Sequence, residues 1–569
     1  MRLSISKSKN AKSLYVIKDV YVKGKRTTKI VEKLGTVDEL SESLNGKDPI
    51  KWAKEYIKEL NEKEKKQNME VIAKFSNSKQ IKKDNQVLFN GGYLFVQDIY
   101  YDLKLDKICS KISEKYKFNF DLNSILSRLL YTRILYPSSK LSSFKASLKF
   151  IEQPNFKLQH IYRALEVISK ESNFIESFVY KSSLKISKRN TKVLYYDCTN
   201  FFFEIEKADG LKQYGVSKEH RPNPIVQMGL FMDGDGIPLA FTIFDGKSNE
   251  QPSLKPLEKR ILKDFNLSQV IVCTDGGLSS HENRLFNNEK ERAFIVTQSI
   301  KKLPSHLKDW ALDPQGWSLP GKSKSFNLNN IDDDPFSKEV YYKQRWIKEK
   351  GLEQKFIVTY SPKYKEYQRS IRHRQINRAE KIVEKPYSLS RNKQNDPKRF
   401  INELHCTPDG EVAKKQVLSI DKDVILKEEK YDGFYGVCTN LESDPASIIK
   451  INKRRWEVEE SFRMLKSEFK ARPVYLSRED RIRAHFTTCF LSLLIFRLLE
   501  KKLDEEYTCT QLLETIKGMN FMELKGDGYV PVYTRTDITD DLHEKFNFRT
   551  DTQIVDAPTM KKIFKQTKI

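Results

Sequence analysis

The sequence predicts an α/β protein. Its core reads as three antiparallel strands followed by alternating parallel strands and helices, broken by a β-rich insertion and preceded by β and helical modules. Three observations carry this reading. The apolar pattern switches from helical spacing to short continuous runs at residue 192. The first and the fourth of those strands carry an aspartate towards their ends, Asp197 and Asp275. An uninterrupted amphipathic stretch from Asn452 to Lys466 then carries Glu459.

A chain of 569 residues is too long for one hydrophobic core, so several structural units are expected. We divide it into 1–85 (β unit and charged linker), 86–188 (helical module), 189–299 (first part of the core), 300–430 (β-rich insertion), 431–505 (second part of the core) and 506–569 (C-terminal region). With 102 Lys and Arg against 77 Asp and Glu, the net charge is +25. An excess of that size bears on partners, not on fold. Nucleic acid is the expected partner, because each neutralised phosphate releases counterions. No membrane is expected. The longest apolar run, Phe486 to Leu499, is interrupted by Arg497 and is shorter than the roughly 20 residues a spanning helix needs. The N-terminus lacks an apolar signal-peptide core. The seven cysteines are scattered, with neither Cys-x-x-Cys nor zinc spacing, which points to a reduced, cytoplasmic protein, nucleoid-associated where DNA is its partner.

The elements follow in order. Ser13–Ile17 and Thr27–Gly35 read as strands around a Lys23-Gly24-Lys25 turn, either a DNA-contacting arm or a solvated hairpin. Residues 51–85 read as a solvated charged helix and linker. Ile125, Leu126, Leu129, Leu130 and Ile134 share a helix face that stops near Pro137, and Ile161, Leu165 and Ile168 predict a further helix. This basic helical module is a possible DNA-binding element, although no recognition helix stands out.

In the core, Lys192–Thr199, Pro224–Asp233, Gly236–Phe244, Val270–Gly277 and Ala293–Thr297 read as strands, with helices at Leu254–Phe265 and Ser280–Lys290. Asp233-Gly234-Asp235-Gly236 reads as a tight hairpin turn, since the rest of a calcium loop is missing. This is the element order of the ribonuclease-H-like fold, in which the first and fourth strands are neighbours. Asp197 and Asp275 then meet at one end of the sheet, although each taken singly could be a turn-former. The insertion contains strand-like runs at Glu339–Tyr342 and Lys355–Tyr360, a basic helix from Lys363 to Lys381, and a further strand from Tyr431. The core helix resumes after Asp444-Pro445, an N-terminal start signal.

Within 452–466, Val458, Phe462 and Leu465, continued by Phe469, form the buried face, while Arg455, Glu459 and Lys466 share a second face and Glu460 is expected in solvent. A salt-bridged surface helix is the alternative reading of that stretch. Two Asp and one Glu at the mouth of a sheet make an all-oxygen set suited to Mg²⁺, with Mn²⁺ as substitute. Two such ions about 4 Å apart activate an attacking oxygen and stabilise the leaving oxygen of a phosphodiester. The chain has no phosphate-cradling Gly-x-x-x-x-Gly-Lys loop, and His281-Glu282 lacks the second His of a zinc protease.

A set of short stretches carries a family resemblance. They are Tyr196-Asp197-Cys198-Thr199, Tyr214 to Pro222, Gly236-Ile237-Pro238-Leu239, Thr274-Asp275-Gly276-Gly277-Leu278, Asp432-Gly433-Phe434, Arg455 to Phe462, Arg472-Pro473-Val474 and Arg483-Ala484-His485. With them, residues 10 to 500 resemble a bacterial insertion-sequence transposase of the DDE class, in the branch with a β-rich insertion and a Tyr-Arg-Glu-Lys signature. The resemblance implies Asp197, Asp275 and Glu459 as the metal-binding catalytic triad, and Arg455 and Lys466 as DNA-binding residues that contact phosphates. The signature's Tyr position holds Asn452. A Trp of the insertion stacks on a flipped base in relatives; Trp310, Trp317 and Trp346 are the candidates, and His220 and Arg221 fit either a DNA-facing loop or a structural turn. The implied activity is metal-dependent cleavage and strand transfer at the ends of a mobile element, by a homodimer on double-stranded DNA. A related nuclease without strand transfer, and a disabled transposase acting as a DNA-binding regulator, are the alternatives.

Overall fold

A computed structural model describes residues 1–8, 11–22, 25–44, 48–67, 76–78, 80, 83, 85–384, 396–406 and 412–569. The chain forms two compact units, 1–85 and 86–569.

In the first unit, β1 (Arg2–Lys7), β2 (Lys12–Val22) and β3 (Lys25–Thr36) form an antiparallel sheet in that order. The expected Lys23-Gly24-Lys25 turn falls largely outside the described residues. Helices α1 (Val37–Ser43) and α2 (Pro49–Gln67) complete the unit. Thr36 caps α1 in a reciprocal box with Glu39, satisfying two orphan backbone donors.

The second unit begins with β4 (Leu88–Asn90) and six helices: α3 (Tyr93–Asp102), α4 (Leu105–Tyr116), α5 (Leu122–Leu135), α6 (Lys140–Ser147), α7 (Leu158–Lys170) and α8 (Ser172–Ile186). The strands β5 (Val193–Phe202), β6 (Ile225–Asp233) and β7 (Pro238–Asp245) then run antiparallel to one another. After α9 (Leu254–Asp264), β8 (Ile271–Thr274) lies parallel to β5. After α10 (His281–Phe286), β9 (Ala293–Gln298) lies parallel to β8. Every residue of β6 is buried, which is why these strands read as continuous apolar runs and not as an alternation.

The strands that follow do not form a sheet of their own. After α11 (Ser305–Leu312), β10 (Trp317–Leu319), β11 (Lys322–Phe326), β12 (Tyr341–Glu349) and β13 (Leu352–Tyr360) extend the central sheet. The helix α12 (Pro362–Glu384), the separate hairpin β14 (Ile401–Cys406) and β15 (Val412–Ile420), and α13 (Lys422–Glu429) come next. Strand β16 (Phe434–Thr439) pairs with both β9 and β13, giving one ten-stranded mixed sheet in the order β11-β10-β12-β13-β16-β9-β8-β5-β6-β7. Joining these strands to β9 closes an edge that would otherwise expose unpaired backbone groups.

Next come α14 (Pro445–Lys453) and α15 (Trp456–Ser467), which correct the expectation of one continuous helix from Asn452 to Lys466. Asp444 caps α14 through Ser447 N–H at 3.2 Å. The chain leaves the helix at Arg454, whose guanidinium turns to Glu457 at 2.8 Å, and starts again at Arg455. Val458, Phe462, Leu465 and Phe469 are buried as expected. Glu460 is not free in solvent: it is half-buried beside Arg463 at 3.3 Å and Arg497 at 3.9 Å. Helix α16 (Glu479–Lys502) is apolar nearly all round because α5, α7, β7 and α15 pack on it. It is the one described helix long and apolar enough to cross a membrane, and 89% of its apolar window lies inside the fold. Helix α17 (Cys509–Gly518), strands β17 (Asn520–Leu524), β18 (Gly528–Pro531) and β19 (Val555–Asp556), and helices α18 (Asp537–Phe546) and α19 (Ala557–Gln566) complete the chain, with β17 paired to β4.

The 233–236 turn is a structural hairpin. Asp233 accepts hydrogen bonds from Asp235 N–H and Ile237 N–H and is ion-paired to Arg189 at 2.6 Å. Gly236 has φ +76°, and a Cβ there would stand 1.9 Å from Glu457 Oε2. Gly236→Ala is therefore expected to destabilise the unit by about 1–3 kcal/mol, read as a lower urea midpoint; an unchanged midpoint would show that Glu457 moves aside freely.

Candidate active site

The parallel register pairs Tyr196 with Thr274, so the next residue on each chain, Asp197 and Asp275, stands at the same end of adjacent strands. The half-buried Asp197 accepts from Cys198 N–H at 2.7 Å. Burial, reinforced by the neighbouring Asp275 charge, raises its pKa to about 6 against the opposing pull of Lys218 and Arg455. Asp275 differs. It caps the turn Gly276–Leu278, accepting from Gly276 N–H at 2.7 Å, and ion-pairs with Arg455 at 2.8 Å. Burial pushes its carboxyl up, but Arg455, Gly276 N–H and Lys218 outweigh it and hold the pKa below the ordinary value.

Helix α15 packs on β5 and β6, with Arg455 at its start and Lys466 near its end. Lys466 lies 3.5 Å from Glu219, and burial together with the nearby Lys218 lowers its ammonium to about 8, while Asp197 opposes the shift. Glu459 stands one turn beyond Arg455. Its carboxylate is exposed, with no hydrogen bond or ion pair among the described residues, and it lines a cavity of about 290 Å³ with Arg455, Trp456, Asn452, Tyr364 and Tyr435. The structure thus brings Asp197, Asp275 and Arg455 together, sets Lys466 beside Asp197, and leaves Glu459 on the adjoining wall.

Among the described residues, no three His, Cys, Asp or Glu side chains form a ready-made metal cluster. The donor chemistry nonetheless suits a hard divalent ion. Asp197 and Asp275 offer two carboxylates at adjacent strand ends, and burial alone outweighs Lys218 and Arg455 in raising the Asp197 carboxyl, a cost that a divalent ion would offset.

Two contributors escaped the sequence reading. Lys218 hydrogen-bonds to the Cys198 carbonyl and ion-pairs with Glu250 at 3.1 Å, which sets its charge between both aspartates. Its loop is held by Asn200, which donates to the Val216 carbonyl and accepts from Lys218 N–H. The second is Tyr435 on β16. Its hydroxyl accepts from Asn452 Nδ2 at 3.2 Å and bonds Thr297 Oγ1 at 2.7 Å, which puts a phenol beside Asn452. Only the resemblance of Tyr214 to Pro222 hinted at the first, and no local pattern marks the second.

The remaining candidates separate by burial. Trp317 is fully buried, with its indole N–H on the Asp313 carbonyl, so its ring is part of the core. Trp310 is half-buried against Phe356, and Trp346 is 45% exposed. Trp456, beside Glu459, is 56% exposed. Arg221 stacks on Phe202 at 4.3 Å, which gives the 217–221 loop a structural anchor.

A solved structure described as the synaptic complex of piggyBac transposase with hairpin DNA is similar at 8% identity, covering 84% of this chain and 84% of that one, with a TM-score of 0.35. No curated protein matches the chain. The family model for the transposase DDE domain matches residues 201–495, more than half of the chain; the match takes in Asp275, Arg455, Glu459 and Lys466 and begins just after Asp197. The chain belongs to the transposases with a DDE domain.

Proposed function

We propose that this transposase binds the ends of its own mobile element, cleaves the DNA there and transfers the strands to a target, on a ribonuclease-H-like core. The observation that carries the reading is the side-by-side placement of Asp197 and Asp275 at adjacent strand ends, with Glu459 one turn beyond the arginine that pairs Asp275. Asp197, Asp275 and Glu459 would hold Mg²⁺ or Mn²⁺, as two ions, which supply Lewis acidity at the attacking and leaving oxygens.

The chain's own groups do the rest. Arg455 leaves Asp275 for a DNA phosphate, freeing that carboxylate as DNA arrives, since a phosphate offers guanidinium an equal bidentate partner. Lys466 and Lys218 hold the strand's anionic backbone beside Asp197. Tyr435 supplies the phenol that Asn452 lacks, oriented by the Asn452 amide. Tyr435→Phe is then expected to slow cleavage about tenfold, the effect of one hydrogen bond to a charged group, with DNA affinity little changed. An unaltered rate would remove Tyr435 from the site.

A homodimer on paired ends, in the nucleoid, belongs to the same reading. The test is cleavage of DNA carrying the gene's flanking regions, with Mg²⁺ or Mn²⁺, assayed for joined products. Metal-dependent cuts at the element ends with joined products support the proposal. Cuts without joining favour a nuclease, and binding without cutting favours a regulator, the alternative in which Arg455 stays on Asp275.

A further inference from the structure

A second cavity, of about 310 Å³, opens between the helical module and the core. It is lined by the end of α5, the first turn of α6, the 470–476 segment and His485 of α16. Its charged side chains are Arg133, Lys140, Lys470 and Arg472, and among the described residues no carboxylate lines it.

Two of these cations are deeply buried, which is rare for unpaired charge. Lys140 is 5% exposed and its ammonium has no hydrogen-bond or ion-pair partner among the described residues. Burial and the adjacent Arg133 push it down to about 7. Arg133 is 2% exposed; among the described residues it donates only to the carbonyls of Phe469, Lys470 and Ser138, all neutral, and its Nε finds no acceptor. His485, wedged nearby with its Nε2 3.0 Å from the Ala471 carbonyl, is held well below its ordinary pKa by burial and by Arg133 and Lys140, so it adds no charge. A buried unpaired ammonium is costly to keep, and a hydrophobic residue of the same length would fill the space more cheaply. Burial answers that cost by lowering the Lys140 pKa, and an anion in the cavity would instead keep the ammonium charged.

The segment that lines the cavity also reaches towards the candidate active site. Val474 N–H donates to the Phe202 carbonyl at 3.0 Å, fixing the 470–476 segment to the end of β5. Arg472 pairs with Glu219, which also faces Lys466, the neighbour of Asp197. A charged network therefore runs from Asp197 through Lys466, Glu219 and Arg472 to the cavity wall.

We propose that this cavity binds a phosphate group, with Lys140 and Arg133 as its buried donors and Lys470 and Arg472 at its rim. Two sources share that chemistry: a backbone phosphate of DNA passing from the Asp197 end of the sheet, and free inorganic phosphate. The DNA source rests on the proposed function; the phosphate site does not.

The experiment uses the full chain as wild type, Lys140→Met and Lys140→Gln. In thermal unfolding with inorganic phosphate against chloride at matched ionic strength, the wild-type midpoint is expected to rise with phosphate. Both variants are expected to start higher without phosphate, having lost the unpaired charge, and to respond weakly. In duplex binding across a salt series, the variants are expected to bind about tenfold more weakly and to show a slope of log K against log salt reduced by about 1. A change in the phosphate arm alone identifies free phosphate, and a change in the DNA arm identifies a backbone phosphate. An equal phosphate response in wild type and variants, together with unchanged DNA affinity and slope, would overturn the proposal. Because the first arm contains no DNA, it can fail or succeed independently of the transposition reading.

Discussion

Single replacement of Asp197, Asp275 or Glu459 by alanine is expected to lower metal-dependent cleavage by on the order of 10³-fold or more, with DNA binding retained. The three are not equivalent at the start. Asp197 is half-buried between strands, Asp275 is held by Arg455, and Glu459 is open to the adjoining cavity. Equal loss from three different environments is what a shared catalytic function demands. A structural role would instead give losses graded by burial, largest at Asp197 and smallest at the exposed Glu459. The discriminating measurement is a single-turnover cleavage rate on saturating DNA, beside an unfolding midpoint for each variant. A fully active Glu459→Ala protein with an unchanged midpoint would remove Glu459 from the site.

The second large effect is on stability. Asp197→Asn is expected to stabilise the metal-free protein at pH 8 by on the order of 3 kcal/mol, since burial raises the carboxyl from 3.8 to about 6 and each unit corresponds to about 1.4 kcal/mol. The sign follows from the direction of the shift. A carboxyl with a folded pKa above its unfolded value binds its proton more tightly when folded. Its contribution is fully present below the unfolded value and is lost as pH rises through about 6. Above that pH the wild type carries a charge that burial disfavours and asparagine does not. The gain should therefore shrink as pH falls from 8 towards 4. Mn²⁺ should raise the wild-type midpoint at pH 8 and leave Asp197→Asn nearly unmoved, and cleavage should weaken as pH drops through about 6. Identical midpoints for the two proteins at both pH values would show that Asp197 is solvated like an ordinary surface acid.

Local chemistry alone determined much of this protein. The runs around Tyr195, Leu230 and Val272 are apolar without alternation because both faces of the central sheet are covered, so strand positions and order were legible, as were the two aspartates at the strand ends. The buried face of α15 was legible for a similar reason: Val458, Phe462 and Leu465 follow the 3.6-residue period whatever they pack against. What local pattern could not decide involves partners far away in the chain. No Pro or Gly marks the break at Arg454-Arg455; it arises where Arg454 turns to Glu457 and Arg455 reaches Asp275, 180 residues earlier. Glu460 looked solvent-facing by helical geometry, yet it is half-buried, with Arg497 of another helix 3.9 Å away. That the strands of 317–360 extend the central sheet through β16 was not legible, because their pairing partners lie far away in the chain. Lys218, Tyr435 and Lys140 carry no periodic signal, because a loop, a strand end and a helix start acquire their electrostatic surroundings only when distant segments close around them. Periodicity encodes which face is buried; the identity of the groups buried beside it is set by tertiary contact.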